Sequence, residues 1–345
     1  MMPLPARPAT SAPSSNRVSR FYLVREIGSG AAGTVYVARD PVVDRNIAIK
    51  VSRVRTNPAE KKQFDQQLIN EARAAGRLSH PNIITVFEAG TENGNSYIAM
   101  EYLQGAVLGR RMDGGESFSA DEVVAIATKL ADALAHAHKN GVIHRDINPS
   151  NIFLSDDKQP KIFDFGIARA PNRLSDDEDD EEPYTLFQNN LLGTPNYMSP
   201  EQAQGKPVDH LTDLYSLGAV MYEMLTQRKP FHSETTEGLL EAIAYKAPTA
   251  PHEINSAIPV GLSQIVLKAM SKRPEKRYQS AEEFLSDLNR YLGLGKRTSR
   301  PAVPVAAPEH EPVVQEKAPS RSPVAAILAF VVGAGMASAW FLLHH

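Results

Sequence analysis

The sequence predicts an α+β chain in which a small β-rich part precedes a larger helical part, and three observations carry this. The runs Thr34–Ala38, Ile47–Val51 and Tyr97–Met100 are short, β-branched or aromatic, and early in the chain, as strands are. Ser119 and Glu122 form a capping box ahead of Val123, Ala127, Leu130, Leu134 and Ala137, an apolar stripe at helical spacing that stops at Gly141. Leu214–Leu225 and Ala281–Tyr291 then repeat the helical pattern in the second half.

Composition bounds the function. The 345 residues carry 37 Lys+Arg against 40 Asp+Glu, a net charge of −3 that provides no basic footprint for nucleic acid. A 42% apolar fraction is enough for a real core. The absence of cysteine excludes disulfides, thiolate-held metals and thiol nucleophiles.

Both ends differ from the middle. Residues 1–20 hold four Pro and five Ser/Thr with no apolar run, so they read as a disordered arm and not as a secretory signal. Residues 294–323 read as a linker, with six Pro among the 28 residues from Lys296 to Pro323. Val324–Leu343 is twenty residues without a charge, which as a helix would cover the roughly 30 Å of a bilayer's hydrocarbon core. The alternative is a buried core helix, but a terminal helix behind a Pro-rich spacer has little to bury into. Lys296, Arg297, Arg300, Lys317 and Arg321 precede the span and only His344 and His345 follow it. The positive-inside rule therefore puts the body of the chain in the cytoplasm, held to the membrane by a single helix. Ala329, Gly333 and Ala337 share one face of that helix, a spacing that allows helix pairing and hence a homodimer.

Gly28-Ser29-Gly30-Ala31-Ala32-Gly33-Thr34-Val35 is a G-x-G-x-x-G-x-V pattern lying between strands. Glycines at this spacing let backbone N–H groups approach phosphate oxygens, although an ordinary Gly-rich hairpin reads the same way. The dinucleotide-binding alternative is disfavoured because strand-like residues, not a helix, follow the glycines. Ile47-Ala48-Ile49-Lys50 places a lysine in an apolar strand, where it is either a surface charge or a phosphate partner.

His144-Arg-Asp146-Ile-Asn148-Pro-Ser-Asn151 follows, and Asp164-Phe-Gly166 comes eighteen residues after Asp146. With these motifs in this order the chain resembles the protein-kinase family, in its bacterial Hanks-type Ser/Thr branch, over roughly residues 21–292. The resemblance implies a bilobal kinase fold, with a small β-rich N-lobe over 21–103 and a larger helical C-lobe over 104–293. It implies ATP and Mg²⁺ as cofactors and protein Ser/Thr hydroxyls as acceptors. Lys50 would bridge the α/β-phosphates and be held by Glu71, nine residues before His80-Pro81-Asn82. Asp146 would accept the hydroxyl proton, and Asn151 and Asp164 would hold the metal. The nucleotide would lie against Ile27, the loop from Gly28 through Ser29, Gly30, Ala31, Ala32, Gly33 and Thr34 to Val35, and Ala48. Met100, Glu101 and Leu103 would form the hinge, and Phe153 the floor.

In the same resemblance, Gly193-Thr194-Pro-Asn-Tyr-Met-Ser199-Pro-Glu201 is the substrate platform, and Thr194 favours Ser/Thr acceptors over Tyr. Glu201 is expected to pair with Arg277, and Asp213 to brace the catalytic loop from beneath.

Two departures stand out. Asn148 occupies the position where Ser/Thr kinases carry a lysine aimed at the γ-phosphate. Loss of a preorganised donor of that kind can cost on the order of 10²–10³ in rate. This keeps open an ATP-binding pseudokinase or scaffold with little turnover. Asp176–Glu182 is seven consecutive carboxylates, which read either as a solvated insertion or as a built-in substitute for phosphate beside Arg145.

Overall fold

The computed structural model describes residues 17–30, 33–52, 69, 72–92, 94–165 and 195–298. The first part is one antiparallel sheet. β1 (Arg17–Val18), β2 (Phe21–Gly30), β3 (Gly33–Asp40), β4 (Arg45–Val51), β5 (Val86–Glu92) and β6 (Asn95–Glu101) lie in the order β1-β2-β3-β4-β6-β5. The three expected strands fall within β3, β4 and β6. β1 is a correction: Arg17 and Val18, read from sequence as part of a disordered arm, pair with Tyr22 and Phe21. Phe21, Ala38, Ile47, Ile49, Val51, Tyr97 and Ala99 bury one face of this sheet as a small core of its own.

A second sheet of three short strands, β7 (Gly105–Val107), β8 (Ile152–Ser155) and β9 (Pro160–Ile162), lies under the first. It is tied to the upper part through Ile83, which bridges Ile162, and through Asn82, whose side chain donates to Pro160 O at 2.7 Å.

The remainder is helical. α1 (Leu108–Asp113) leads into α2 (Ala120–Lys139), whose capping box forms as the sequence predicts, with Glu122 N–H on Ser119 Oγ and Glu122 Oε2 on the Ser119 N–H. Lys158 and these Ser119 groups hold the Glu122 carboxyl down at about 2. After α3 (Pro200–Ala203) comes α4 (Leu211–Thr226), buried along nearly all its length. A helix apolar on every side belongs at the centre of a domain, and α4 packs between α2 and α7 (Val260–Ala269). α5 (Thr236–Tyr245) and α6 (Pro251–Ile254) precede α7, and α8 (Ala281–Thr298) closes against α2. α8 continues beyond Tyr291 to Thr298, into the segment that composition assigns to the linker.

The apolar run 324–343 and most of the Pro-rich segment lie outside the described residues. Among the described residues, no helix is long and apolar enough to cross a membrane.

Candidate active site

The glycine-rich loop is the tip of the β2–β3 hairpin, with Gly30 paired to Gly33, Ser29 to Thr34 and Gly28 to Val35. Gly33 has φ +139°, and a Cβ there would lie 2.3 Å from Val51 O, so only glycine fits. Ala31 and Ala32 lie outside the described residues. Ile27 sits at a register shift just before the loop.

β4 runs beside this hairpin and alternates. Ala48 lies opposite Val37 on one neighbour and Met100 on the other, while Lys50 lies opposite Val35 and Ile98. Lys50 is 9% exposed, and a lysine that deep needs a charged partner. Its Nζ forms an ion pair with Asp164 Oδ1. Glu71, the other partner that the sequence assigns to Lys50, lies outside the described residues.

At the end of β6, the Glu101 side chain is engaged by its neighbours. Glu101 Oε1 takes Lys161 Nζ and the Thr85 N–H, each at 2.7 Å. The Glu101 N–H is also taken, by Thr85 O at 2.9 Å, so the main chain that follows, through Leu103, is the part able to meet a base. Met100 and Leu103 are half-buried. Phe153, also half-buried, lies in β8 against Gly105, where φ is +132° and a Cβ would stand 2.4 Å from Leu154 O.

The loop 144–151 is fastened from below and from the side. Asp213, in the first turn of α4, is fully buried. Its Oδ2 accepts His138 Nε2 at 2.8 Å and the His144 N–H at 2.9 Å, and its Oδ1 accepts the Arg145 N–H at 2.7 Å. Burial pushes the Asp213 carboxyl up, but the bonds and charges of His138 and His144 outweigh it and leave the group below the usual carboxylate value. On the other side, His144 Nε2 meets Phe163 O, and the Phe163 N–H donates to Asn151 O, both at 3.1 Å. These two bonds set Asp164 beside the loop. Arg145 and Asp164 both hold left-handed backbone, with φ of +66° and +64°.

Within the loop, Asn151 Nδ2 donates to Asp146 O at 2.8 Å and to Asp146 Oδ2 at 3.0 Å. With its N–H groups engaged in this way, the side-chain carbonyl of Asn151 remains as an oxygen donor, on a residue whose backbone carbonyl accepts the N–H of Phe163, next to Asp164. One amide oxygen and one carboxylate suit Mg²⁺, which takes few protein ligands and completes its shell with phosphate and water. Among the described residues no cluster of three or more His, Asp or Glu could hold a metal unaided.

Two further features surround the loop. Arg145 shares a cavity of about 310 Å³ with Arg73, Arg77 and the 141–143 segment, and its buried Nε has no hydrogen-bond partner among the described residues. Below, Arg277 is bidentate to Glu201, Nη1 to Oε1 and Nη2 to Oε2, each at 2.7 Å. Burial raises the Glu201 carboxyl, and the Arg277 bond and charge bring it below its ordinary value. Ser199 caps α3 and accepts the Thr212 hydroxyl at 2.6 Å. Thr194, Gly166 and the acidic run lie outside the described residues.

Sequence reasoning did not single out His138 as the partner of Asp213. Nor did it find Gln202, whose Nε2 donates to Arg145 O at 2.8 Å and so links the platform to the catalytic loop.

A small twisted sheet over a helical body, with a strand lysine paired to an aspartate from below and a braced loop beside them, is the two-lobed architecture of protein kinases. The protein kinase domain family matches residues 21–288, and the chain belongs to it. Among curated proteins it is similar to a probable serine/threonine-protein kinase of Clostridium acetobutylicum, 37% identical over 271 residues, 79% of this chain and 40% of that protein. It is also similar to serine/threonine-protein kinase PrkC of Bacillus subtilis, 35% identical over 270 residues, 78% of this chain and 40% of that protein. The chain thus spans about two fifths of the length of these relatives. Among solved structures, the PknI kinase domain of Mycobacterium tuberculosis matches with a TM-score of 0.62 at 27% identity, covering 82% of this chain and 100% of that one.

Proposed function

We propose that the chain is a serine/threonine protein kinase that moves the γ-phosphoryl group of ATP to a protein hydroxyl. The observation that carries this reading is the Asp146 carboxylate, held by Asn151 on a loop that hydrogen-bonds the residue before Asp164 while Lys50 pairs with Asp164 itself. Phosphoryl transfer needs positioning and charge, and little covalent chemistry from the protein. Lys50 supplies a cation to the α/β-phosphates, and Asn151 and Asp164 supply the oxygens for Mg²⁺, which would neutralise phosphate charge when bound. Asp146 accepts the proton of the acceptor hydroxyl as its oxygen bonds to the γ-phosphorus and the bond to the ADP oxygen breaks. Main chain at 101–103, Ala48, Met100 and Phe153 form the apolar slot for the base. Thr194 and the serine/threonine-protein kinases among the relatives support Ser/Thr as the acceptor.

The rival reading, nucleotide binding without turnover, rests on Asn148. Retention of Lys50, Asp146, Asn151 and Asp164 together favours the enzyme. Incubating the full chain with γ-labelled ATP and a mixed protein substrate tests the choice. Label recovered as phosphoserine and phosphothreonine supports the proposal, and label on tyrosine alone or nowhere rejects it.

The uncharged run 324–343 and the basic residues before it support a single-pass anchor with the kinase domain on the cytoplasmic side. Removing 324–345 should move the protein from the membrane to the soluble fraction with activity kept. Membrane association that persists would reject this anchor.

A further inference from the structure

Asn148 reads from sequence as a loss, because a neutral amide replaces a lysine. The structure gives the amide its own work. Asn148 Nδ2 donates to Asp146 O and to Asp146 Oδ1, both at 3.0 Å, while its Oδ1 accepts the Ser150 N–H at 2.8 Å. It is therefore the N-cap of the 3-10 turn Pro149–Asn151, with the extended backbone (φ −154°, ψ 166°) that a cap, and a residue before proline, adopts. A lysine could make the donor bonds but not the cap, since an ammonium has no acceptor.

Set beside Asn151, the arrangement is a clamp. Asn148 holds Oδ1 of Asp146 and Asn151 holds Oδ2, and both amides also donate to the Asp146 carbonyl. Two forks from opposite sides fix the plane of the carboxylate. We propose that Asn148 is a positioning residue for the proton acceptor: it aims the Asp146 carboxylate through a neutral hydrogen bond, so that this site relies on fixed geometry where its relatives in sequence pattern use a charge. The inference rests on the kinase reading above. It makes the site an enzyme with an altered catalytic loop rather than a damaged one.

The two jobs of Asn148 can be separated. In Asn148→Ser the hydroxyl still caps the turn but is too short to reach the Asp146 carboxylate. In the full chain we expect Asn148→Ser to keep its melting temperature within about 2 °C, because a change of roughly 1 kcal/mol moves a domain of this size by only a few degrees. Its single-turnover rate at saturating Mg·ATP should fall at least about tenfold, the scale of a charged hydrogen bond of roughly 1.4 kcal/mol. KM for ATP should stay within about twofold. Asn148→Lys should melt lower, having lost the cap, and turn over faster than Asn148→Ser, having regained a donor. An Asn148→Ser protein with unchanged single-turnover rate would reduce Asn148 to a cap and overturn the inference.

Wild-type protein that transfers no phosphate would instead sink the kinase reading. The clamp is then read without turnover, from the carboxyl ¹³C resonance of Asp146 at neutral pH. Asn148→Ser displaces that resonance if the bond exists, and an unmoved resonance overturns the inference in that case also.

Discussion

Asp213 Oδ1 accepts the backbone N–H of Arg145 at 2.7 Å, and the same carboxylate takes the His144 N–H at 2.9 Å through its other oxygen. These bonds sit immediately before Asp146 and hold Arg145 at φ +66°, a conformation that costs a non-glycine residue on the order of 1–3 kcal/mol unless its surroundings enforce it. The loop that carries Asp146 is thus braced from inside α4.

Replacing Asp213 by Asn tests that brace. An amide offers one oxygen where the carboxylate offered two, so at least one buried N–H of the catalytic loop loses its acceptor. The expected loss is about 1–3 kcal/mol of stability, read by thermal or urea denaturation, with a fall in phosphoryl transfer larger than the stability loss explains. The pH dependence has a definite sign. The folded carboxyl of Asp213 lies below its unfolded value, so its contribution is complete above the ordinary Asp range and is lost as pH falls through the lower folded value. Asp213→Asn should therefore flatten the acid side of the stability curve.

Arg277 and Glu201 form a buried bidentate pair whose guanidinium is fully covered. Removing one partner leaves the other charge buried alone, which typically costs about 3–5 kcal/mol. Arg277→Ala should lower stability by that order. Arg277→Lys should recover only part of it, because an ammonium cannot match both carboxylate oxygens. Denaturant titration of both variants checks the order.

Lys50→Met should abolish phosphoryl transfer while the protein stays folded. Methionine fits the apolar strand between Val35 and Ile98, and the change removes the only charge that β4 sends into the cleft from Ile47–Val51. Circular dichroism like that of the wild type together with no labelled product is the expected pair of results.

Much of this was legible in the sequence, for identifiable reasons. β3, β4 and β6 are rich in Val, Ile and Tyr, and α2 carries its own start signal in Ser119 and Glu122. β5 was not legible: Val86–Glu92 contains Glu88, Ala89, Gly90 and Glu92, residue types that strands disfavour. It becomes a strand through its partner, with Gly90 opposite Tyr97 and the Tyr97 hydroxyl on Glu88 Oε1 at 2.6 Å. β9 opens on Pro160, which argues against a strand until its short edge position is seen.

At the site, motif spacing marks Lys50, Asp146, Asn151 and Asp164, and the structure pairs Lys50 with Asp164 and Asn151 with Asp146. The bracing of Asp213 against the catalytic loop and the Glu201–Arg277 pair were anticipated from the family pattern alone, and both formed. His138 and Gln202 carry no local signal, since their partners lie 75 and 57 residues away in sequence. The role of Asn148 was hidden because its hydrogen bonds depend on a turn that only the folded loop defines.

In the proposed function Asp146 is the proton acceptor of an ATP-dependent phosphoryl transfer. The most direct test compares the full wild-type chain with Asp146→Asn, using γ-labelled ATP and Mg²⁺ and following label on protein Ser and Thr in single turnover. An amide of the same shape keeps the loop but cannot take the proton, so we expect a loss of roughly 10²–10⁴ in rate, the usual worth of a general base, with ATP binding retained. Equal rates in the two proteins would contradict the account.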